Sequence, residues 1–149
     1  MNKTIIFTAV IMIFTLFFST EKAVAETPKE VVAAFCKLDF EGNRLSSEKY
    51  KNIKSLVSYP DEPGWDTVIG IHGYEIKKEK IENASAEITV EYEIDRQWPN
   101  NLSNKEKYKT ETFHLKQENS KWKITKYIMF PRVSSKILCT EHGYCETGS

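Results

Sequence analysis

The chain has 149 residues, one domain's worth, and its 21 basic side chains balance 21 acidic ones. That balance excludes the basic footprint a nucleic-acid-binding protein needs, and no run of like charge marks a lipid surface or an acidic partner. No cofactor motif interrupts the sequence, and no cofactor is expected.

Residues 1–25 read as a secretory signal peptide. Lys3 is its basic start, Ile5 to Phe18 an apolar run of 14 residues, and Ala23-Val24-Ala25 supplies small residues for cleavage before Glu26. The run is shorter than the ~20 residues a bilayer span needs. No stable membrane anchor is therefore expected after cleavage, and the mature protein is expected to be secreted or periplasmic.

Thr27-Pro28-Lys29-Glu30 opens the mature chain with three helix-start signals in register: an N-cap hydroxyl, a proline in the first turn and a glutamate three residues on. Val31, Phe35 and Leu38 then mark one apolar helix face, and Gly42-Asn43 stops it. A second helix is predicted from Ser46 or Ser47, with Tyr50, Ile53, Leu56 and Val57 inward. Tyr59 to Gly64 is loop by composition, and Trp65 beside it reads as a plug over one end of the core or as a cleft wall.

Val68 to Glu82 reads as a long strand whose period-2 alternation changes phase at His72-Gly73, the mark of a bulge or bend. After a turn at Asn83-Ala84, Ala86, Ile88, Val90, Tyr92 and Ile94 alternate with polar residues, giving one buried and one solvated face. Gln97 to Lys107 is a polar connection. Tyr108 to Phe130 reads as a hairpin turning at Gln117 to Ser120, with Phe113, Leu115, Trp122, Ile124, Ile128 and Phe130 inward. The glutamates at 87, 91 and 93 are expected to face the lysines of this hairpin across the outer surface. Beyond Pro131 an extended piece around Ile137-Leu138 and a cysteine loop are expected.

Helices followed by strands indicate an α+β fold. The order of elements, notably the helix from Thr27, the hairpin from Tyr74 to Ile94 and the closing hairpin with Lys121-Trp122-Lys123-Ile124, resembles the nuclear transport factor 2-like superfamily, the cystatin-like α+β roll. The resemblance implies N-terminal helices packed on the concave face of a curved antiparallel sheet, a cone-shaped roll. It also implies a choice among enzymes, small-ligand binders and partner-binding modules, since that superfamily includes all three. The expected division is a signal peptide at 1–25, a roll domain at 26–131 and a C-terminal extension at 132–149.

Three constellations could carry chemistry. His72 with Asp39 or Asp66 could form the base and its partner in a small lyase or isomerase, but no inward position of the clearest strand is a carboxylate. Cys139, His142 and Cys145 have the spacing C-x2-H-x2-C; after export a Cys139–Cys145 disulfide is the expected outcome, ahead of a zinc site, so no metal is assigned. Cys36 lies in the helix's apolar stripe and reads as core. Phe35, Trp65, Tyr74, Tyr92, Phe113 and Trp122 could line an apolar pocket inside the cone. The leading expectation is an exported, non-enzymatic domain that binds a small apolar or amphipathic ligand in its cone or a protein partner. The alternatives are the lyase or isomerase and an inhibitor- or immunity-type protein-binding module. The resemblance adds a homodimer through the outer sheet, where alternating Glu and Lys oppose an apolar interface and Tyr127 and Met129 are the exceptions.

Overall fold

The computed structural model describes residues 26–99, 102–103 and 106–143. The expected signal peptide and Cys145 lie outside them. Helix α1 spans Pro28–Phe40. Thr27 Oγ1 accepts from the Glu30 N–H at 3.2 Å and Glu30 Oε2 accepts from the Thr27 N–H at 2.7 Å, so two otherwise orphaned donors are met. The helix buries Val31, Val32, Phe35, Cys36 and Asp39. Gly42 ends it in the left-handed region at φ 77°, where a side chain would be strained.

The second predicted helix breaks into pieces: a 3-10 turn at Asn43–Leu45, the single-turn α2 at Ser47–Tyr50 capped by Ser46, and a second 3-10 turn at Lys54–Leu56. Its inward residues Tyr50, Ile53, Leu56 and Val57 are nonetheless all buried. Tertiary burial, not helical continuity, satisfies that apolar pattern.

Six strands follow: β1 Val68–Glu82, β2 Ser85–Trp98, β3 Leu102–Ser103, β4 Tyr108–Glu118, β5 Lys121–Ile124 and β6 Arg132–Ser134. They form one sheet in the order β5-β4-β2-β1-β6, with β3 paired to the end of β2. All pairings are antiparallel except β1 with β6, so the sheet is mixed; it curls into a half-barrel. The register slips between Ile71 and Gly73, which leaves His72 without a partner on β2 and bends the strand where the alternation changes phase. The inward residues of β2 from Ala86 to Ile94 are buried, and α1 packs against them in the hollow together with Phe113, Leu115 and Ile124. Asn119 and Ser120, both at positive φ, make the tight turn between β4 and β5.

Besides the broken second helix and the parallel β1–β6 pairing, three features depart from the expectation. Strand β5 stops at Ile124 although the apolar alternation runs to Phe130. The reason is a side chain: Arg44 donates to the carbonyls of Ile128 at 2.6 Å and Phe130 at 3.1 Å, so the backbone there is satisfied without a neighbouring strand. The piece around Ile137-Leu138 is not extended but lies in helix α3, Ser135–His142, which docks Leu138 on Val68 and Val133 in a second small core. Gly70 makes this possible, because a Cβ there would sit 3.2 Å from Ser135 Oγ and 3.3 Å from Leu138 Cδ1. Finally, the outer-face ion pairs of β2 use other partners: Glu91 meets Lys77 at 3.1 Å, Glu93 meets Lys107 at 3.1 Å, and Glu87 faces His114 at 3.4 Å. Among the described residues, no helix is long and apolar enough to cross a membrane.

Candidate functional site

The last turn of α1 presents Asp39 where the apolar stripe continues, and burial leaves it 2% exposed. A carboxylate in that position needs cations, and the chain supplies two. Arg44, just past the helix stop, places Nη1 3.4 Å from Asp39 Oδ2, and the backbone N–H of Arg132 donates to the same oxygen at 3.1 Å. Arg44 also reaches Glu62 of the loop before β1, with Nε 2.6 Å from Oε1. Arg132 in turn donates to Glu111 at 2.7 Å and sets its guanidinium 4.7 Å from the centre of the Tyr92 ring, a cation–π contact. One charged cluster therefore ties together α1, the turn at 43–45, the loop at 59–66, the segment at 125–131 and β6.

Burial pushes the Asp39 carboxyl up to about 6, against the lowering pull of Arg44 and Arg132. Burial opposes the charge on Arg44, yet Asp39 and Glu62 outweigh it and hold the guanidinium more firmly protonated than usual. The strong ionic contact is Arg44 with Glu62, at 2.6 Å; Asp39 stands farther off and its Oδ1 has no hydrogen-bond partner, so it is the poorly compensated member.

Beside this cluster is a cleft of about 320 Å³, walled by Arg44, Ser46, Ser47, Tyr50, Glu62 and Trp65. Two of its lining side chains carry buried oxygens with no hydrogen-bond partner, Tyr50 Oη and Glu62 Oε2. Unmet buried polar atoms are uncommon in folded proteins, and these two covered oxygens belong to side chains that line the same cleft. Burial raises Tyr50 to about 12 and also raises Glu62, whose hydrogen bond from Arg44 pulls the other way.

The residues singled out from the sequence fall in different places. Phe35, Tyr92 and Phe113 are core: Phe35 and Phe113 meet edge to face at 5.5 Å and all three are at most 2% exposed. Tyr74 is half-buried, 6.3 Å from the Tyr92 ring, and borders a separate depression with Gly73 and Tyr108. Trp122 packs partly buried on the main core. Trp65 packs on the second core and also walls the cleft, so both of its readings describe part of its surface. His72 is exposed at the bulge and faces Asp95 at 3.7 Å; Asp39 joins the arginines; Asp66 accepts from Thr67 at 3.0 Å. Each of the three thus has its own partner. Hydrogen bonds from Ser135 and Arg96 hold Asp95 low in spite of its burial.

Cys36 is a buried free thiol 3.3 Å from Tyr92 Oη, and burial pushes it up to about 12, which removes thiolate chemistry. Cys139 lies on α3, while its expected partner Cys145 is beyond the described residues. Among the described residues no group of three or more His, Cys, Asp and Glu side chains could hold a metal ion.

Arg44, Tyr50, Glu62 and Arg132 were not among the sequence-predicted site residues. One signal pointed toward them: an aspartate on a helix's apolar face must find a buried cation, and Arg44 is the first arginine after it.

No protein-family model matches this chain, and no curated protein matches it. Among solved structures it is similar to a Campylobacter jejuni protein bearing the provisional label of NTF2-like transpeptidase, at 16% identity over 67% of this chain and 99% of that one, with a TM-score of 0.36. A likeness that slight carries nothing about activity. The element order and the curled sheet with α1 in its hollow make the fold an α+β half-barrel.

Proposed function

We propose that the protein is an exported, non-enzymatic binding domain whose small-ligand site is the cleft between Ser46–Tyr50 and the loop at 62–65, at the side of the roll and not in its hollow. The observation that carries this reading is that Tyr50 and Glu62, two side chains lining one cleft, each hold a buried oxygen with no hydrogen-bond partner. The burial of Phe35, Tyr92 and Phe113 supports it from the other side, since residues that would have lined a cavity in the hollow pack against one another. The separate partners of His72, Asp39 and Asp66 lend the lyase or isomerase alternative no support. A homodimer through the outer sheet is the partner reading that the ion-paired face favours least. Export after cleavage at Ala25 and a Cys139–Cys145 disulfide belong to the same proposal and rest on the sequence.

Screening the purified protein against a library of small polar and amphipathic molecules by protein-observed NMR tests the site. The expected result is a set of ligands that shift the Trp65 indole and Tyr50 signals. Ligands that shift only core signals such as Phe113 would overturn the placement. Intact mass without reductant, expected 2 Da below the reduced form for one disulfide, and the N-terminal residue, expected to be Glu26, check the rest about as directly.

A further inference from the structure

We infer that the open edge of β4 pairs with the same edge of a second copy of this chain, extending the sheet across a two-fold axis. The contact uses the edge of the sheet and not its ion-paired outer face. Strand β4 has 11 residues, yet β5 covers only its end, from Leu115 to Glu118. Continued in the same register, β5 would set Tyr127 opposite Thr112 and Met129 opposite Thr110. Arg44 instead holds the carbonyls of Ile128 and Phe130, so Tyr108 to Phe113 has no strand on that side among the described residues. The His114 carbonyl accepts from the Thr125 N–H at 2.9 Å, so the even-numbered residues of β4 turn their N–H and C=O toward β5. Thr112, Thr110 and Tyr108 therefore present their backbone donors and acceptors to the open edge, where Tyr108 and Thr110 are exposed.

The sequence of this edge specifies its partner. With the axis at Thr110, that residue lies opposite its own copy, Tyr108 opposite Thr112, and Lys109 opposite Glu111. Tyr108, Thr110 and Thr112 exchange ladder hydrogen bonds with the copy. Lys109 and Glu111 turn their backbones to β2 and form the closer, non-hydrogen-bonded pairs. Their side chains share the inner face, since they stand opposite Tyr92 and Val90. Glu111 accepts from Arg132 through Oε2, which leaves Oε1 for a second cation, and Lys109 has no ion pair among the described residues. On the outer face a threonine meets a threonine, a favourable cross-strand pair. Moving the axis by one residue sets either Lys109 or Glu111 against its own copy, so charge selects this register. Strand β1 also has an open edge beyond Ile71. That edge is bulged near Ile71 and Ile76 and carries lysines at 77, 78 and 80, the features that keep an edge unpaired. Strand β4 runs along β2 with no slip in register.

Sedimentation equilibrium of the purified protein, from about 10 µM to about 1 mM, tests the pairing. So short a contact should give a weak dimer, half formed at about 0.1 mM and loosened by salt. Lys109→Glu is expected to weaken it about tenfold or more, because it sets acid against acid on both sides of the axis. Lys109 is exposed, so the melting temperature of the dilute variant should match that of the wild type. Thr110→Cys under mild oxidation reads the register. A covalent dimer is expected, since the opposed residues of a hydrogen-bonded pair lie about 5.5 Å apart at Cα, within a disulfide's reach. Lys109→Cys should give none, its copy lying beyond about 7 Å. The wild-type chain oxidised alongside accounts for the native cysteines. A monomer at every concentration overturns the inference and leaves the edge to a strand of a different protein. A dimer indifferent to Lys109→Glu, or one that cross-links through residue 109 and not 110, overturns this edge and register.

Discussion

Replacing Asp39 by asparagine should change how stability depends on pH. The carboxyl is fully buried, and its folded-state value of about 6 stands above the ordinary 3.8. The folded protein therefore holds this proton to higher pH than the unfolded chain does. Below 3.8 the group is protonated in both states and costs nothing. As pH rises toward 6 the unfolded chain releases the proton first, so stability falls, and above 6 the full cost is present. At about 1.4 kcal/mol per pH unit, the shift is worth about 3 kcal/mol. The cost arises because Oδ1 has no hydrogen bond and Arg44 is 3.4 Å away and shared with Glu62. Urea unfolding of the wild-type protein and Asp39→Asn across pH 4 to 7 reads it directly. Glu30 and Asp95, outside this cluster, are common to both proteins and cancel in the difference, while Glu62, which shares Arg44 with Asp39, is coupled to it and belongs to what the difference reads. Wild-type stability should fall relative to the variant by up to about 3 kcal/mol over this range. A difference flat to within about 0.5 kcal/mol, or one of opposite sign, would refute the claim that Asp39 is under-compensated.

Arg44→Met should destabilise by about 3–5 kcal/mol in urea, since it strands Glu62 and Asp39 and frees the carbonyls of Ile128 and Phe130. Phe113→Ala should cost about 3–5 kcal/mol by the same assay, because Phe113 is wholly buried against Phe35. Gly70→Val should cost about 1–3 kcal/mol by pushing on Ser135 and Leu138, and hydrogen exchange should show α3 losing protection before the main sheet does.

The parts of the fold legible in the sequence are those where local signals and burial agree. Thr27, Pro28 and Glu30 announce α1, and all three act as their types suggest. The alternation from Ala86 to Ile94 gives β2 and its buried face, and the phase change at His72 gives the bulge. What stayed hidden depends on partners distant in sequence. The Ile128 to Phe130 stretch has a strand's pattern, but Arg44, more than eighty residues earlier, takes its carbonyls. Helix α3 is short and only weakly amphipathic, and its place depends on the missing side chain of Gly70 on another strand. The same holds for the candidate site. Trp65 was visible as a bulky residue beside a loop, whereas Tyr50 and Glu62 look like a core aromatic and a loop acid until the fold sets them around one cleft.

The central claim is that ligands enter the cleft at the side of the roll and leave its hollow packed. A structure of the protein with a ligand found in the library screen tests it most directly. The expected result places the ligand against Tyr50 and Trp65, with Phe35 and Phe113 still in contact. A ligand found between α1 and β2, with those two rings parted, would contradict it.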